Sequence, residues 1–183
     1  YDGAQYQIPY RGPGASGLGK PLKSILAIEA APKIYVASIA PAGVRAAAEL
    51  GDGFFPIWMD PDNFSVFEQP INEGLQKAGK TRADFNVAQF VTVIVDDKVA
   101  AAMQPIREKM ALYIGGMGAR GRNFYNNYVR RLGFEEAAER IQELYLAGHK
   151  DEAMVAVPEQ LIDACHLVGP RARIRARLQR WQL

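Results

Sequence analysis

The amino-acid sequence predicts an α/β fold built on a parallel sheet. Three short apolar runs rich in β-branched and aromatic residues alternate with three amphipathic helical patterns, and the connections between them are short. Continuous apolar runs indicate strands that are buried on both faces, as in parallel sheets. Of the 183 residues 49% are hydrophobic, which is enough for one domain with its own core.

The first strand and helix follow a lead-in without a regular pattern. Residues 1–23 contain eight glycines and prolines, so this stretch is predicted to be irregular. Residues 33–39 (KIYVASI) predict the first buried strand. Pro41 begins the first helix, and Gly51 ends it.

The second strand and helix carry clear boundary signals. Residues 54–58 (FFPIW) predict a strand that Pro56 is expected to end early. Asp60 and Pro61 are a typical N-cap and first-turn pair for the next helix, which stops at Gly79. The apolar face of that helix comprises Phe64, Phe67, Ile71, Leu75 and Ala78.

Residues 86–95 (NVAQFVTVIV) predict the third strand, as one nearly continuous apolar run. Asp96 and Asp97 are expected to cap the helix that follows. Its stripe at helical spacing indicates core packing rather than a cofactor motif, and consists of Val99, Met103, Ile106, Met110 and Tyr113.

The pattern changes in the last third of the chain. A Gly/Arg-rich stretch (115–135) precedes helical segments around 135–147 and 159–167, and a last helix places Ile174, Leu178 and Trp181 on one side. Alternate arginines on that helix are expected to face solvent: Arg171, Arg173, Arg175 and Arg177. No fourth strand is predicted, so the three-stranded sheet would have two open edges that another half of the protein or a second copy must cover.

Composition narrows the range of functions. The formal net charge of +2 and the lack of a basic run interleaved with aromatics give no sign of nucleic-acid binding. Cys165 is the single cysteine, which suits a reducing compartment. No apolar run approaches the ~20 residues that span a membrane, and no signal peptide is visible, so a cytoplasmic protein is expected. The chain starts at Tyr1 instead of methionine, which suggests a truncated or processed product.

Three stretches could bind an anion. Gly14–Lys20 has the G-x-x-x-x-G-K spacing of a phosphate-binding loop, but Pro21 follows it where a hydroxyl residue is needed, so a surface loop is favoured. The turn 37–41 lies at a strand end and a helix start, where free N–H groups favour phosphate; an ordinary turn remains equally open. In the Gly/Arg-rich stretch, Gly116, Gly118, Arg120 and Arg122 form either an anion cradle or a solvated loop.

No catalytic machinery is visible. His149 follows a glycine at a helix end, and His166 lies beside Cys165 in a helical pattern, so neither has metal-ligand spacing or a partnered nucleophile. No pair of carboxylates is placed for acid–base chemistry, since Asp96 and Asp97 are explained as caps. We therefore expect no metal site and no catalytic residue in this chain.

Four strings resemble the luciferase-like monooxygenase superfamily, in particular its actinobacterial branch of coenzyme F420-dependent oxidoreductases: YDGAQYQIPYRGPGASGLGKPLK, IYVASIAPAGVRAAAELGDGFFP, MALYIGGMGARGRNFYNNYVRRLGF and LVGPRARIRARL. The resemblance implies a partial (β/α)8 TIM barrel in which residues 1–183 supply about strands five to seven with their helices. The N-terminal half of the same barrel would precede Tyr1, and a homo-oligomer is expected.

The resemblance also implies a cofactor site. The phosphate of coenzyme F420 would lie against Ala37, Ser38, Ile39 and Ala40, with Gly43 allowing close approach and Ile57 near the ring. Many relatives have two glycines where this chain has Ile39 and Ala40. The family's acid–base residues belong to the missing half, so this chain alone is expected to be inactive toward its small-molecule substrate.

Two other functions remain open from the sequence. The same fold could use FMN, as luciferase-like monooxygenases do. A non-catalytic half-barrel could instead serve as a binding or dimerisation module.

Overall fold

The computed structural model describes residues 1–20, 25 and 29–181. The chain divides into two compact units, Tyr1–Pro32 and Lys33–Leu183. The described part of the first unit consists of turns and bends with one isolated antiparallel bridge between Asp2 and Gln7, as the irregular lead-in predicts. Positions 21–23 of that predicted lead-in lie outside the described residues.

The second unit contains two parallel sheets. Strands β1 (Tyr35–Ala37), β2 (Gly53–Phe55) and β3 (Asn86–Val87) form the first sheet in that order. Strands β4 (Val93–Val95) and β5 (Leu167–Gly169) form the second. All three strand pairings are parallel, so the predicted α/β fold with parallel strands is confirmed.

The described residues of this unit contain eight α-helices. They are α1 (Pro41–Leu50), α2 (Ser65–Ala78), α3 (Val99–Ala111), α4 (Phe124–Arg131), α5 (Glu135–Leu146), α6 (Lys150–Val155), α7 (Glu159–Cys165) and α8 (Arg171–Leu178). Short 3-10 turns cover Pro61–Asn63, Arg82–Asp84 and Gln179–Trp181, and a π-helical turn, Leu112–Gly116, extends α3. Within the described residues, no helix is long and apolar enough to cross a membrane.

The boundaries of α2 follow the predicted caps, whereas the N-cap of α3 is Lys98, which forms no side-chain cap, instead of Asp96 or Asp97. The Asp60 carboxylate accepts a hydrogen bond from the Asp62 backbone N–H at 3.0 Å, which begins the 3-10 turn before α2. Gly79 ends α2 in the left-handed conformation, with φ 64°. The Asp96 carboxylate accepts a hydrogen bond from the Lys98 backbone N–H at 2.7 Å, just before α3.

Helices α1 and α2 approach each other closely at a glycine. A Cβ atom added to Gly74 would lie 2.3 Å from the Arg45 carbonyl oxygen and 2.7 Å from the Ala48 Cβ. No side chain fits at that distance, so Gly74 is required for the helix contact. The pair covers Phe54 of β2, which is fully buried and meets the Phe67 ring edge-on at 5.0 Å.

The prediction of one strand over residues 86–95 is wrong. The run separates into β3 and β4, which belong to different sheets. Between them the Gln89 side chain accepts a hydrogen bond from the Met59 backbone N–H at 2.9 Å, and the Phe90 side chain is 84% exposed. Apolar content indicated an extended chain here but could not show that the chain changes partners midway.

The prediction that no further strand follows β4 is also wrong. Leu167–Gly169 form β5, which pairs with β4 through the register of Val93 with Leu167. Helix α7 ends at Cys165, and His166 is already extended, with φ −139° and ψ 161°. His166 therefore precedes a strand and is not part of a helix.

The arginines of α8 are not all solvated. Arg173 donates to the Asp163 carboxylate at 2.5 Å and to the Val168 carbonyl oxygen at 2.6 Å, and Arg177 donates to the Asp163 carbonyl oxygen. Their side chains are about a quarter exposed or less, unlike those of Arg171 and Arg175. The expected solvent face of α8 is therefore wrong for Arg173 and Arg177, which attach the helix to α7 and β5.

Candidate functional site

A cavity of about 410 Å³ lies where β1 and β2 end. We call it the strand-end cavity; it is lined by Ala37, Ser38, Ile39, Phe55, Pro56, Ile57, Trp58, Phe90, Thr92, Lys109, Tyr125 and His166. Aromatic and aliphatic side chains dominate this lining, with a few polar groups among them. Such a composition is typical of a site for a flat organic ligand.

The turn between β1 and α1 forms one wall of the cavity. Ala40 is the N-cap of α1 and offers no side-chain cap, and the first turn contains Pro41 but no acidic residue. The first helical hydrogen bond in this turn runs from the Val44 N–H to the Ala40 carbonyl oxygen, which leaves the N–H groups of Ala42 and Gly43 without helical partners. The turn is therefore a positively polarised helix end with free donors.

Gly43 has a structural role within this turn. A Cβ atom at Gly43 would lie 2.2 Å from the Ser38 hydroxyl oxygen, so the glycine makes room for the Ser38 side chain over the first turn of α1. The Ser38 hydroxyl lies 3.4 Å from the Ala40 carbonyl oxygen. Ala37, Ser38 and Ile39 line the cavity, whereas Ala40 and Gly43 are not among its lining residues.

Arg131, at the end of α4, is attached to the same turn. Its guanidinium donates a hydrogen bond to the Ile39 carbonyl oxygen and lies 5.5 Å from the centre of the Tyr128 ring. Partial burial lowers the pKa of Arg131, and the neighbouring Tyr128 opposes that shift. Arg131 belongs to the Gly/Arg-rich stretch of the sequence (115–135), and the structure places its guanidinium on the β1–α1 turn.

Trp58 forms the floor at the end of β2 in a strained conformation. Its φ of 53° is unusual for a residue with a side chain. The Trp58 carbonyl oxygen accepts hydrogen bonds from the Tyr128 hydroxyl at 3.0 Å and from the Cys165 thiol at 3.1 Å. The indole packs against the rings of Tyr113 and Tyr125, each 5.7 Å away.

Cys165 and Tyr128 are structural donors in this arrangement. Burial is the main cause that raises the pKa of the Cys165 thiol, and it likewise raises the pKa of the Tyr128 hydroxyl. Both groups therefore remain protonated and keep the hydrogen that they donate. Cys165 is accordingly a buried thiol that is not activated for reaction.

His166 is the most unusual polar group of the cavity. It is 4% exposed, and neither ring nitrogen has a hydrogen-bond partner among the described residues. Burial lowers its pKa to about 4, and the positive charge of Lys109 adds to the shift. The Leu167 N–H donates to the Thr92 carbonyl oxygen at 3.0 Å, which places Thr92 next to His166.

The predicted anion cradle in the Gly/Arg-rich stretch lies apart from this cavity. A Cβ atom at Gly116 would lie 2.5 Å from the Tyr145 ring, so packing accounts for that glycine. Gly118 is similarly close to the backbone of Asn123, and Arg120 lies 3.9 Å from the Glu143 carboxylate. Arg122 is exposed, and none of the four residues lines the strand-end cavity.

Asn123 holds the Gly/Arg-rich stretch in place through its side-chain hydrogen bonds. Its side-chain oxygen accepts hydrogen bonds from the N–H groups of Tyr125 and Asn126, which caps α4. Its side-chain amide donates to the carbonyl oxygens of Tyr113 and Ile114. The Gly/Arg-rich stretch is therefore folded around a fully buried asparagine.

The structure brings four of the six predicted cofactor residues together in one cavity: Ala37, Ser38, Ile39 and Ile57. Sequence reasoning missed the polar groups on the other side, Thr92, Lys109 and His166. Lys109 lies on α3, and His166 lies between α7 and β5. A histidine that interrupts a helical apolar pattern just before a short apolar run was the one available signal.

The fold and this cavity define an α/β protein with a largely apolar ligand site at the carboxyl ends of β1 and β2. The model of the luciferase-like monooxygenase family matches residues 2–183, so the chain belongs to that family. A protein of Mycobacterium tuberculosis described as a coenzyme F420-dependent oxidoreductase is 34% identical over 98% of the chain. The match covers 53% of that relative, so the chain spans about half the length of the curated relatives that it matches.

A further relative and two solved structures are also similar to the chain, and both structures are described as F420-dependent. A 5,10-methylenetetrahydromethanopterin reductase of Archaeoglobus fulgidus is 27% identical over 74% of the chain and 40% of its own length. The solved coenzyme F420-dependent tetrahydromethanopterin reductase of Methanopyrus kandleri superposes with a TM-score of 0.61 at 22% identity, over 81% of this chain and 41% of that one. An F420-dependent secondary alcohol dehydrogenase gives 0.56 at 16% identity, over 84% and 41%. These two superpositions establish a common fold.

Proposed function

We propose that this chain forms the phosphate side of a coenzyme F420 site in an F420-dependent oxidoreductase, and that it is the C-terminal part of a (β/α)8 barrel. The strand-end cavity carries the proposal, because it combines Ala37, Ser38 and Ile39 of the β1–α1 turn with Ile57 after β2. The F420-dependent relatives support the choice of cofactor.

The residues present fit such a cofactor. The free N–H groups of Ala42 and Gly43, at a helix end without an acidic residue, suit a phosphate. The Ile39 side chain is buried, and its carbonyl oxygen is engaged by Arg131, so the turn is fixed before any ligand arrives. Ile57 and Trp58 offer an apolar surface for a ring.

When bound, the deazaflavin supplies hydride transfer to or from the substrate. This chain would position the cofactor and exclude water from it. The β1–α1 turn would hold the phosphate, and the strained Trp58 would hold the apolar floor at the end of β2. Acid–base groups are assigned to the N-terminal half of the barrel, so this chain alone is proposed to be inactive.

The proposal includes the partners expected from the sequence. The strand faces beside the cavity carry exposed apolar side chains, among them Tyr35, Val93 and Val95, which the N-terminal half would cover. A homo-oligomer, a small-molecule substrate and a cytoplasmic location belong to the same proposal.

Cofactor titration of the full-length protein tests the proposal. We expect F420 to bind at least tenfold more tightly than FMN, measured by quenching of deazaflavin and flavin fluorescence. Tight FMN binding without F420 binding would instead assign the protein to the FMN-dependent branch. Binding of neither would favour a non-catalytic module.

Removal of one backbone N–H group tests whether the first turn of α1 binds the phosphate. Ala42→Pro removes one free N–H group from the first turn of α1, where proline is tolerated. We expect roughly tenfold weaker F420 binding, as for the loss of one charge-assisted hydrogen bond. The matched control is Ala100→Pro at the same position of α3, which is not part of the β1–α1 turn and should leave affinity unchanged.

A further inference from the structure

The unpartnered imidazole of His166 marks one end of the strand-end cavity as a polar subsite. Native proteins rarely bury a polar group without a hydrogen-bond partner, because its lost hydration is not replaced. His166 is 4% exposed, and both of its nitrogens lack partners among the described residues. A ligand oxygen that accepts a hydrogen bond from the imidazole N–H would give one of the two nitrogens its partner.

The charge around His166 indicates the kind of group. Lys109 lines the same cavity, is exposed, and lies with its Nζ 6.0 Å from the centre of the Tyr113 ring. It forms no ion pair with any described residue. Thr92 contributes a hydroxyl, and no acidic side chain is present in the lining. The subsite therefore offers a cation and two neutral donors without a counter-charge, which favours an anionic oxygen ligand.

The volume available beside His166 further limits which anionic group can bind. A side cavity of about 130 Å³ shares Trp58, Thr92, Lys109 and His166 with the strand-end cavity and is otherwise lined by apolar residues of α3 and β4. This volume suits a carboxylate and its neighbouring carbon atoms rather than a second ring. One lysine beside a neutral imidazole balances one negative charge, which fits a carboxylate better than a phosphate dianion.

We propose that Lys109, His166 and Thr92 bind a carboxylate group of the substrate in the side cavity, and that the apolar remainder of the substrate extends from there toward the cofactor in the strand-end cavity. The inference rests on the proposed function, because it assigns a substrate class to the same site. The cation of Lys109 pairs with the carboxylate, while the His166 ring N–H and the Thr92 hydroxyl donate to its oxygens. The substrate is accordingly a small organic acid with an apolar or aromatic body.

Calorimetric titration of the full-length protein with phenylacetate and phenylacetamide tests the subsite, since the two probes differ mainly in charge. We expect phenylacetate to bind at least tenfold more tightly. Lys109→Met should abolish this preference, and Lys98→Met, at the other end of α3, should retain it. Equal affinities for the two probes, binding of neither, or a preference that survives in Lys109→Met overturns the proposal.

A second measurement locates the ligand. In the spectrum of protein with ¹⁵N-labelled histidine, the His166 signals are those missing from His166→Asn. We expect phenylacetate to shift the His166 signals and to leave those of His149 in place. If saturating phenylacetate leaves the His166 signals unshifted, the subsite is elsewhere and the proposal fails.

Addition of F420 distinguishes whether the carboxylate in the subsite belongs to the substrate or to the cofactor. If F420 and phenylacetate bind together, the subsite belongs to the substrate, as proposed. If F420 displaces phenylacetate competitively, the cofactor's own acidic groups fill the subsite and the substrate assignment is overturned. A protein that discriminates between the probes but does not bind F420 contradicts the proposed cofactor and leaves the carboxylate subsite intact.

Discussion

The Arg131 guanidinium donates a hydrogen bond to the carbonyl oxygen of Ile39, 92 residues earlier in the chain. This contact joins the end of α4 to the turn that begins α1. The last third of the chain thereby determines the shape of the proposed phosphate site, although none of its glycine and arginine candidates lines the cavity.

Replacement of Arg131 by Met should loosen the β1–α1 turn. Because Arg131 is exposed to solvent, loss of its hydrogen bond should lower the free energy of unfolding by about 0.5–1.5 kcal/mol. We also expect F420 binding to weaken by roughly tenfold, because the turn would have to be ordered on binding. Urea unfolding and cofactor titration measure the two effects. Arg175→Met, on the exposed face of α8, is the control; equal losses in both variants would contradict this role.

Replacement of Gly74 by Ala should separate α1 from α2. The added methyl group would overlap the Arg45 carbonyl oxygen, and overpacking of this kind costs about 1–3 kcal/mol. Thermal or urea unfolding checks the loss. Gln76→Ala, at an exposed position of the same helix, should change stability by less than about 0.5 kcal/mol. A Gly74→Ala protein as stable as the parent would mean that the helices adjust without strain.

Stability should depend on pH through His166. Its folded-state pKa of about 4 lies below the ordinary value of 6.5, so the unfolded chain binds more protons between these two values. The free energy of unfolding should therefore fall as the pH is lowered from 6.5 to 4, by about 3 kcal/mol from this group. Urea unfolding of the parent and of His166→Gln across this range measures the difference. His149→Gln, at an exposed histidine, should behave like the parent.

The two donors to the Trp58 carbonyl oxygen should be energetically coupled. Tyr128→Phe or Cys165→Ala alone leaves that oxygen one partner, whereas the double variant leaves it buried with none. The double variant should lose about 1–2 kcal/mol more than the sum of the single losses. Urea unfolding of the four proteins, followed through tryptophan fluorescence, gives the coupling. Strict additivity would show that the strained residue does not depend on this shared acceptor.

The parts of the fold that the sequence predicted are those with local causes. Helix α1 follows from Pro41, and α2 follows from Asp60 and Gly79, whose caps act within a few residues of themselves. Strands β1 and β2 were placed correctly but are shorter than expected, and β2 ends at Phe55, just before Pro56.

The missed features have distant causes. Strand β5 exists because β4 offers it a partner, and its three residues match the apolar pattern of the preceding helix. The change of partner within residues 86–95 depends on the side-chain contact from Gln89 to Met59, which no local pattern encodes. The same holds for the site: the turn 37–40 was visible as a strand end followed by a helix start, whereas Lys109 and His166 join it only through the tertiary fold.

The division of residues 86–95 between two sheets has a consequence for the order of folding. Strand β3 pairs with β2 after a crossover that contains one α-helix, α2, but β4 finds its partner only at Leu167, after five helices have been placed. Closing so distant a contact is slow, because the entropy of the long intervening loop is lost first. During synthesis on the ribosome, the apolar edge of β4 therefore remains unpaired until Leu167–Gly169 have been made. In this interval the nascent chain is most prone to pair with a strand of a neighbouring chain.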